Sequence, residues 1–93
     1  MSPQHGSYIE IFTEPACVRC GRVENLLARR GLRYREIDVS SAEGRAEMAA
    51  RLPCAPVVPQ VFIGGRYIGG CEELERFEAT GALRLAEICG ELR

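Results

Sequence analysis

Five cysteines carry most of the reactive chemistry open to this chain: Cys17, Cys20, Cys54, Cys71 and Cys89. Cys17 and Cys20 form its C-x-x-C pair, placed just after Tyr8-Ile-Glu-Ile-Phe-Thr13 and Pro15. A cysteine at a helix start faces unpaired backbone N–H groups and the positive end of the helix dipole, and both favour thiolate over thiol. A free thiol has a pKa of about 8.5, whereas sites of this kind reach roughly 3.5–7.5. Cys17 is therefore expected to be an exposed nucleophile. Cys20, one turn inward on the same face, is expected to resolve the mixed disulfide that Cys17 forms. The spacing by itself also fits two buried, inert thiols. Arg19 and Arg22 add positive charge within the same turn, whereas the carboxylate of Glu14 would raise the pKa of the nucleophile.

Two further motifs bear on a ligand. Pro59 leads into Val61-Phe62-Ile63 from between valines, a setting for a cis peptide. With Val58–Pro59 cis, the backbone of Val58 would pair in strand fashion with an extended thiol peptide beside Cys17. An ordinary trans turn proline is the plainer alternative. In Gly69-Gly70-Cys71-Glu72-Glu73, two glycines let the backbone approach a ligand, and the helix start offers N–H groups to a carboxylate. Alone, Gly-Gly is only a turn. No metal is expected: a four-cysteine zinc site has two close pairs, Cys54 and Cys71 are too far apart to be the second, and the single His5 falls in the N-terminal tail.

The elements that must position these residues follow from periodicity and breakers. Residues 1–6 read as a flexible N-terminal tail and residues 7–93 as a single domain. The alternation from Tyr8 to Thr13 predicts a strand. Val23, Leu26 and Leu27 recur at helical spacing between about Cys17 and Arg30, and Gly31 is a natural stop. A second strand is expected over Arg33–Val39, then a helix from about Ala42 to Leu52 capped by Ser40 or Ser41. Pro53, Pro56 and Pro59 exclude helix. Val61-Phe62-Ile63, Gly64-Gly65 and Arg66-Tyr67-Ile68 form a hairpin, followed by a helix over Cys71–Glu78. After Gly81 a last helix would carry Leu83, Leu85, Ile88, Cys89 and Leu92 on its apolar side. Cys89 there reads as core packing, and Cys54 as an exposed thiol with no assigned role.

In order, Cys17-Val-Arg-Cys20, Val58-Pro59-Gln-Val-Phe-Ile63 and Gly69-Gly70-Cys71-Glu72-Glu73 resemble a dithiol glutaredoxin, over about Tyr8 to Leu85. The resemblance implies an α/β, thioredoxin-like fold: a four-stranded mixed sheet flanked by helices, in the order β-α-β-α-β-β-α, with a cis proline at Pro59. It implies a glutathione-disulfide oxidoreductase that reduces protein disulfides and glutathione mixed disulfides, glutathione being its co-substrate. Cys17 would be the nucleophile and Cys20 the resolving thiol. The main chain at Val58 and Pro59 would hold the cysteine part of glutathione, and Gly70, Cys71 and Glu72 its γ-glutamyl carboxylate. Arg19 joins the glutathione-binding set, and either Arg45 or Arg51 would meet the glycyl carboxylate. Here Val18 and Arg19 replace the Pro-Tyr common between the cysteines, Glu14 stands where the family usually has lysine, and Val57 where it has threonine.

Two alternatives belong to the same superfamily. Val18 after the first cysteine is similar to NrdH-type redoxins, which take electrons from thioredoxin reductase and serve ribonucleotide reductase. Some glutaredoxins instead hold a [2Fe–2S] cluster between two protomers. For this chain a monomer is expected, with glutathione and glutathionylated or disulfide-bonded proteins as partners. The length of 93 residues, with 46% hydrophobic and 27% charged, excludes disorder and leaves room for one domain. Its 12 basic residues, all arginine, against 13 acidic ones leave no basic stripe for nucleic acid. No apolar run reaches the roughly 20 residues of a membrane span. The N-terminal residues lack the layout of a signal peptide, so a cytoplasmic location is expected. The odd number of cysteines fits a reducing compartment.

Overall fold

The computed structural model describes residues 9–54 and 57–83. Seven elements follow one another: β1 (Ile9–Thr13), α1 (Val18–Arg29), β2 (Arg35–Asp38), α2 (Ala42–Arg51), β3 (Gln60–Ile63), β4 (Arg66–Gly69) and α3 (Cys71–Ala79). They form a four-stranded sheet in the order β2-β1-β3-β4. β1 pairs in parallel with β2 (Phe12 opposite Ile37) and antiparallel with β3 (Ile11 opposite Val61). β4 closes the far edge as the second arm of an antiparallel hairpin. The sheet is therefore mixed, and the element order is the one expected from the breakers.

Alternation along the strands divides the interior in two. Ile9, Ile11, Val61 and Ile63 face α1 and α3, where they meet Val23, Leu26, Leu27 and Leu74. On the opposite face, Phe12 and Phe62 join Ile37, Val39 and Met48 beneath α2. Burying one such large side chain contributes about 1.5–3 kcal/mol. The polar position Glu10, which alternation would send to solvent, instead lies under α2. There Arg51 (2.6 Å) and Arg35 (2.9 Å) hold its carboxylate.

Local chemistry fixes the helix ends. α1 stops at a Gly31 with φ of 68°, where Gly31 N–H donates to Ala28 O and Leu32 N–H to Leu27 O. These two bonds close a Schellman turn that only glycine enters without strain. Of the two candidate serines, Ser41 caps α2, its Oγ accepting from the Gly44 N–H at 2.9 Å. Ser40 binds the Asp38 carboxylate instead, through both N–H and Oγ. Gly44 has no room for a side chain, because a Cβ there would lie 2.0 Å from the Asp38 carbonyl oxygen. Tyr8, the tail boundary and, beyond Leu83, the rest of the helix expected after Gly81, with Leu85, Ile88, Cys89 and Leu92, fall outside the described residues; Leu83 itself is buried in the α1/α3 core.

Candidate active site

β1 delivers the chain to the site and the turn Glu14-Pro15-Ala16 redirects it into α1. Ala16 adopts φ of 60°, a left-handed conformation that a Cβ makes costly. Cys17 is then the N-cap of α1, and its Sγ accepts from the Cys20 N–H at 3.1 Å. A sulfur held there receives an orphan amide and the positive end of the helix dipole, the arrangement that stabilises a thiolate. Cys17 is half-buried, while Cys20 is 3% exposed against the α1 core. The two are joined as a disulfide across a Cα–Cα distance of 5.2 Å. An accessible outer sulfur and a buried inner one are thus linked one helical turn apart.

Beside this turn runs a groove of about 470 Å³, walled by Arg19, Val58, Pro59, Tyr67, Gly70 and Cys71. The Val58–Pro59 peptide is cis. The backbone N–H and C=O of Val58 form no hydrogen bond with another described residue. Val57 does have a partner: its carbonyl accepts from Gln60 Nε2 at 3.0 Å, and Gln60 Oε1 accepts from the Tyr67 hydroxyl at 2.7 Å. This chain ties the proline loop to the hairpin. Sequence reasoning missed Gln60 and Tyr67. Their signal was a glutamine at an inward strand position, which is 4% exposed and must find partners.

The start of α3 closes the other side. Gly70 is its N-cap, and the Gly70 N–H donates to Glu73 Oε1 at 2.8 Å. Gly70 also passes close to Pro59, whose carbonyl oxygen would lie 3.2 Å from an added Cβ. The second glycine therefore lets α3 meet the cis-proline loop. Cys71 is buried, and burial and the Glu75 carboxylate push its thiol up from its ordinary range. Glu72 pairs with Arg19 across the mouth of the groove, and this guanidinium holds the Glu72 carboxyl below its usual range. Arg22 forms a parallel pair with Glu75 at 2.7 Å.

The structure thus brings Arg19, Val58, Pro59, Gly70 and Cys71 together around the groove, with Glu72 joined to them through Arg19, while Cys17 and Cys20 line a separate cavity at the start of α1; the two arginines of α2 lie elsewhere. Arg45 donates to the carbonyl oxygens of Val39 and Ser40. Arg51 binds Glu10 and Glu47 and lies over the rings of Phe62 (4.9 Å) and Phe12 (5.7 Å). Neither borders the groove. The larger hollow of about 780 Å³ between α1 and α3, lined by residues such as Asn25, Arg29 and Glu78, has no nucleophile among the described residues that line it. Among the described residues no group of three or more His, Cys, Asp or Glu is placed to hold a metal ion, and no helix is long and apolar enough to cross a membrane.

A dithiol heading the first helix of a four-stranded mixed sheet, with a cis proline leading into β3, defines a thiol oxidoreductase of thioredoxin-like fold. The glutaredoxin family profile matches residues 9–68. Glutaredoxin 3 of Escherichia coli K12 is 32% identical over 75 residues, which cover 81% of this chain and 90% of that protein. The crystal structure of a buckwheat glutaredoxin–glutathione complex superposes with a TM-score of 0.79 at 32% identity, covering 94% of this chain and 83% of that one. The solution structure of a Brucella melitensis glutaredoxin gives a TM-score of 0.70 at 40% identity, covering 91% and 92%. The chain belongs to the glutaredoxin family.

Proposed function

We propose that this protein reduces glutathione mixed disulfides and protein disulfides at the expense of glutathione, with Cys17 as the attacking sulfur. The observation that carries this reading is the position of Cys17: an N-cap sulfur receiving the Cys20 amide, next to a groove walled by Val58–Pro59 and the start of α3. In the first step the Cys17 thiolate attacks the glutathione sulfur of a mixed disulfide. A Cys17–glutathione disulfide forms and the protein thiolate leaves. A second glutathione thiolate then attacks the glutathione sulfur of that adduct, releasing oxidised glutathione and restoring Cys17. With a protein disulfide, Cys20 displaces the bound sulfur and leaves the Cys17–Cys20 disulfide.

The groove suits such a ligand. Val58 offers a backbone donor and acceptor to the cysteinyl part, and the N–H groups at the start of α3 suit the γ-glutamyl carboxylate. Arg19 and Glu72, already paired at the rim, present opposite charges to the carboxylate and ammonium of that same γ-glutamyl end. Val18, Val57 and Tyr67 are the large apolar side chains most exposed among the described residues, and all three stand by the dithiol or the groove. Such a rim suits disulfide-bearing proteins as partners.

The electron donor decides between this reading and its nearest neighbour. Turnover of a small glutathione mixed disulfide is expected with glutathione and glutathione reductase, and Cys17→Ser abolishes it. Cys20→Ser retains deglutathionylation and loses protein-disulfide reduction. Turnover with thioredoxin reductase alone would replace the proposal with an NrdH-type redoxin. A coloured dimer after anaerobic purification with glutathione would point to a cluster carrier.

A further inference from the structure

A further cavity, of about 430 Å³, lies at the start of α1, and Cys17, Cys20, Glu14, Glu24 and Glu36 all contribute to its lining. Glu24 follows Cys20 by one helical turn on the same face of α1. That spacing separates Cβ atoms by roughly 5–6 Å, a gap that one water spans. Glu36 reaches the cavity from β2. It is pinned there by Thr13, the last residue of β1, which is 2% exposed and donates from Oγ1 to Glu36 Oε2 at 2.8 Å. Two carboxyl groups from different elements are therefore held facing one another beside the buried sulfur of the dithiol.

Nothing in the first half of the redox cycle uses this arrangement, since Cys17 already has the Cys20 amide and the helix dipole to hold its negative charge. Cys20 differs. It is buried, it heads no helix, and to attack it must first lose a proton inside the protein. We propose that the Glu24 carboxylate, paired with Glu36, accepts the Cys20 proton as Cys20 attacks a mixed disulfide on Cys17. The Cys20–S bond to Cys17 forms as the bond between Cys17 and the substrate sulfur breaks. Cys20 and Cys17 end as a disulfide, the substrate sulfur leaves reduced as a thiolate, and the proton moves to Glu24. From there it passes to solvent or to the departing thiolate.

The surroundings adapt Glu24 to this role. Burial first, then a hydrogen bond with Glu36 and the charge of Glu36, push its carboxyl above the ordinary carboxylate range, which makes it a stronger base. Tyr34, ahead of β2, is raised by its burial and by the same two carboxylates, so it stays a neutral hydroxyl at neutral pH. Glu14 adds a further acidic side chain at the cavity mouth.

The step presupposes the dithiol route proposed above, and its test separates the two. The reduced full-length protein, with Cys54→Ser to remove an exposed thiol, is mixed with oxidised glutathione. Acid-quenched samples are followed by mass spectrometry. The Cys17–glutathione adduct forms, which needs only Cys17, and then decays as Cys20 displaces glutathione. Glu24→Gln is expected to slow the decay about a hundredfold near neutral pH, the low end of what a positioned base contributes. Formation serves as the internal reference. In wild type the decay rate falls off in acid as Glu24 takes up a proton. In Glu24→Gln that limb disappears and the rate climbs steadily with pH. Glu36→Gln, which removes the neighbouring charge, shifts the limb to lower pH, a change that a purely structural role would not produce. A decay rate and pH profile unchanged by Glu24→Gln would overturn the proposal, as would equal slowing of formation and decay. An adduct that never forms in wild type, or never decays, would overturn the dithiol route itself.

Discussion

Arg51 offers a sharp test of how the α2 face is held together. Its guanidinium makes a two-pronged contact with Glu10, at 2.6 and 3.1 Å, and lies over Phe62 at 4.9 Å and Phe12 at 5.7 Å. Arg51→Ala removes all of these. The nearer ring contact contributes about 0.5–1 kcal/mol and the farther one less. The side chain is 30% exposed, so the ion pair is discounted to about 1 kcal/mol, and Arg35 still holds Glu10 in the variant. The loss is thus about 2 kcal/mol, or a fall in Tm of roughly 8–16 °C for a domain of this size. The pH dependence supplies the sign. Arg51 is the largest cause of the lowered Glu10 pKa, so this part of the stability is present above the ordinary value of 4.5. It is lost as the pH falls through the lower folded value. Thermal melts at pH 7 and pH 3 should therefore show the difference between wild type and variant shrinking in acid toward the aromatic share. A shift under about 2 °C at pH 7, or one undiminished at pH 3, would refute the reasoning. A severalfold rise in the KM for glutathione with Tm unchanged would return Arg51 to the binding site.

Three other outcomes follow from particular contacts. Gly44→Ala drives a methyl group into the Asp38 carbonyl and should cost about 2 kcal/mol or more by chemical denaturation, with the Cys17 alkylation profile unaltered. Ala16→Gly relieves a left-handed alanine and should raise stability by up to about 1 kcal/mol, the difference between residues at such a φ; a loss instead would mean that the added freedom of the unfolded chain dominates. Glu14→Lys exchanges an opposing charge for a helping one at the dithiol, so the Cys17 thiolate should persist to lower pH when followed by iodoacetamide. An unmoved profile would place side chain 14 away from the sulfur.

What could be read from the sequence was what is local. The C-x-x-C pair, the strand alternation, the Gly31 stop and the hairpin glycines each act over a few residues, and each element they predict is present. The long-range partners were not legible. Arg51 has the charge that a glycyl carboxylate would want, but the sheet face that α2 covers presents Glu10 and two rings to it first. Nothing in the sequence sets Glu24 and Glu36 apart from the other acids; it is the parallel pairing of β1 with β2 that brings Thr13 and Glu36 together beside α1. Gln60 and Tyr67 find one another only because the hairpin register sets them across the proline loop. Gly70 looked like an opening for a ligand, and it also lets α3 pass close to Pro59.

The two separate apolar clusters have a mechanical consequence. Both cysteines of the dithiol belong to the layer built by α1 and α3, whereas α2 rests through its own Met48 on Phe12, Ile37, Val39 and Phe62 and on an ionic lattice of arginines and glutamates. The α2 layer has the smaller reserve, so its amides should be the first to exchange with deuterated solvent while those of α1 stay protected. Variation could then accumulate beneath α2 with little disturbance to the sulfur chemistry on the other side of the sheet.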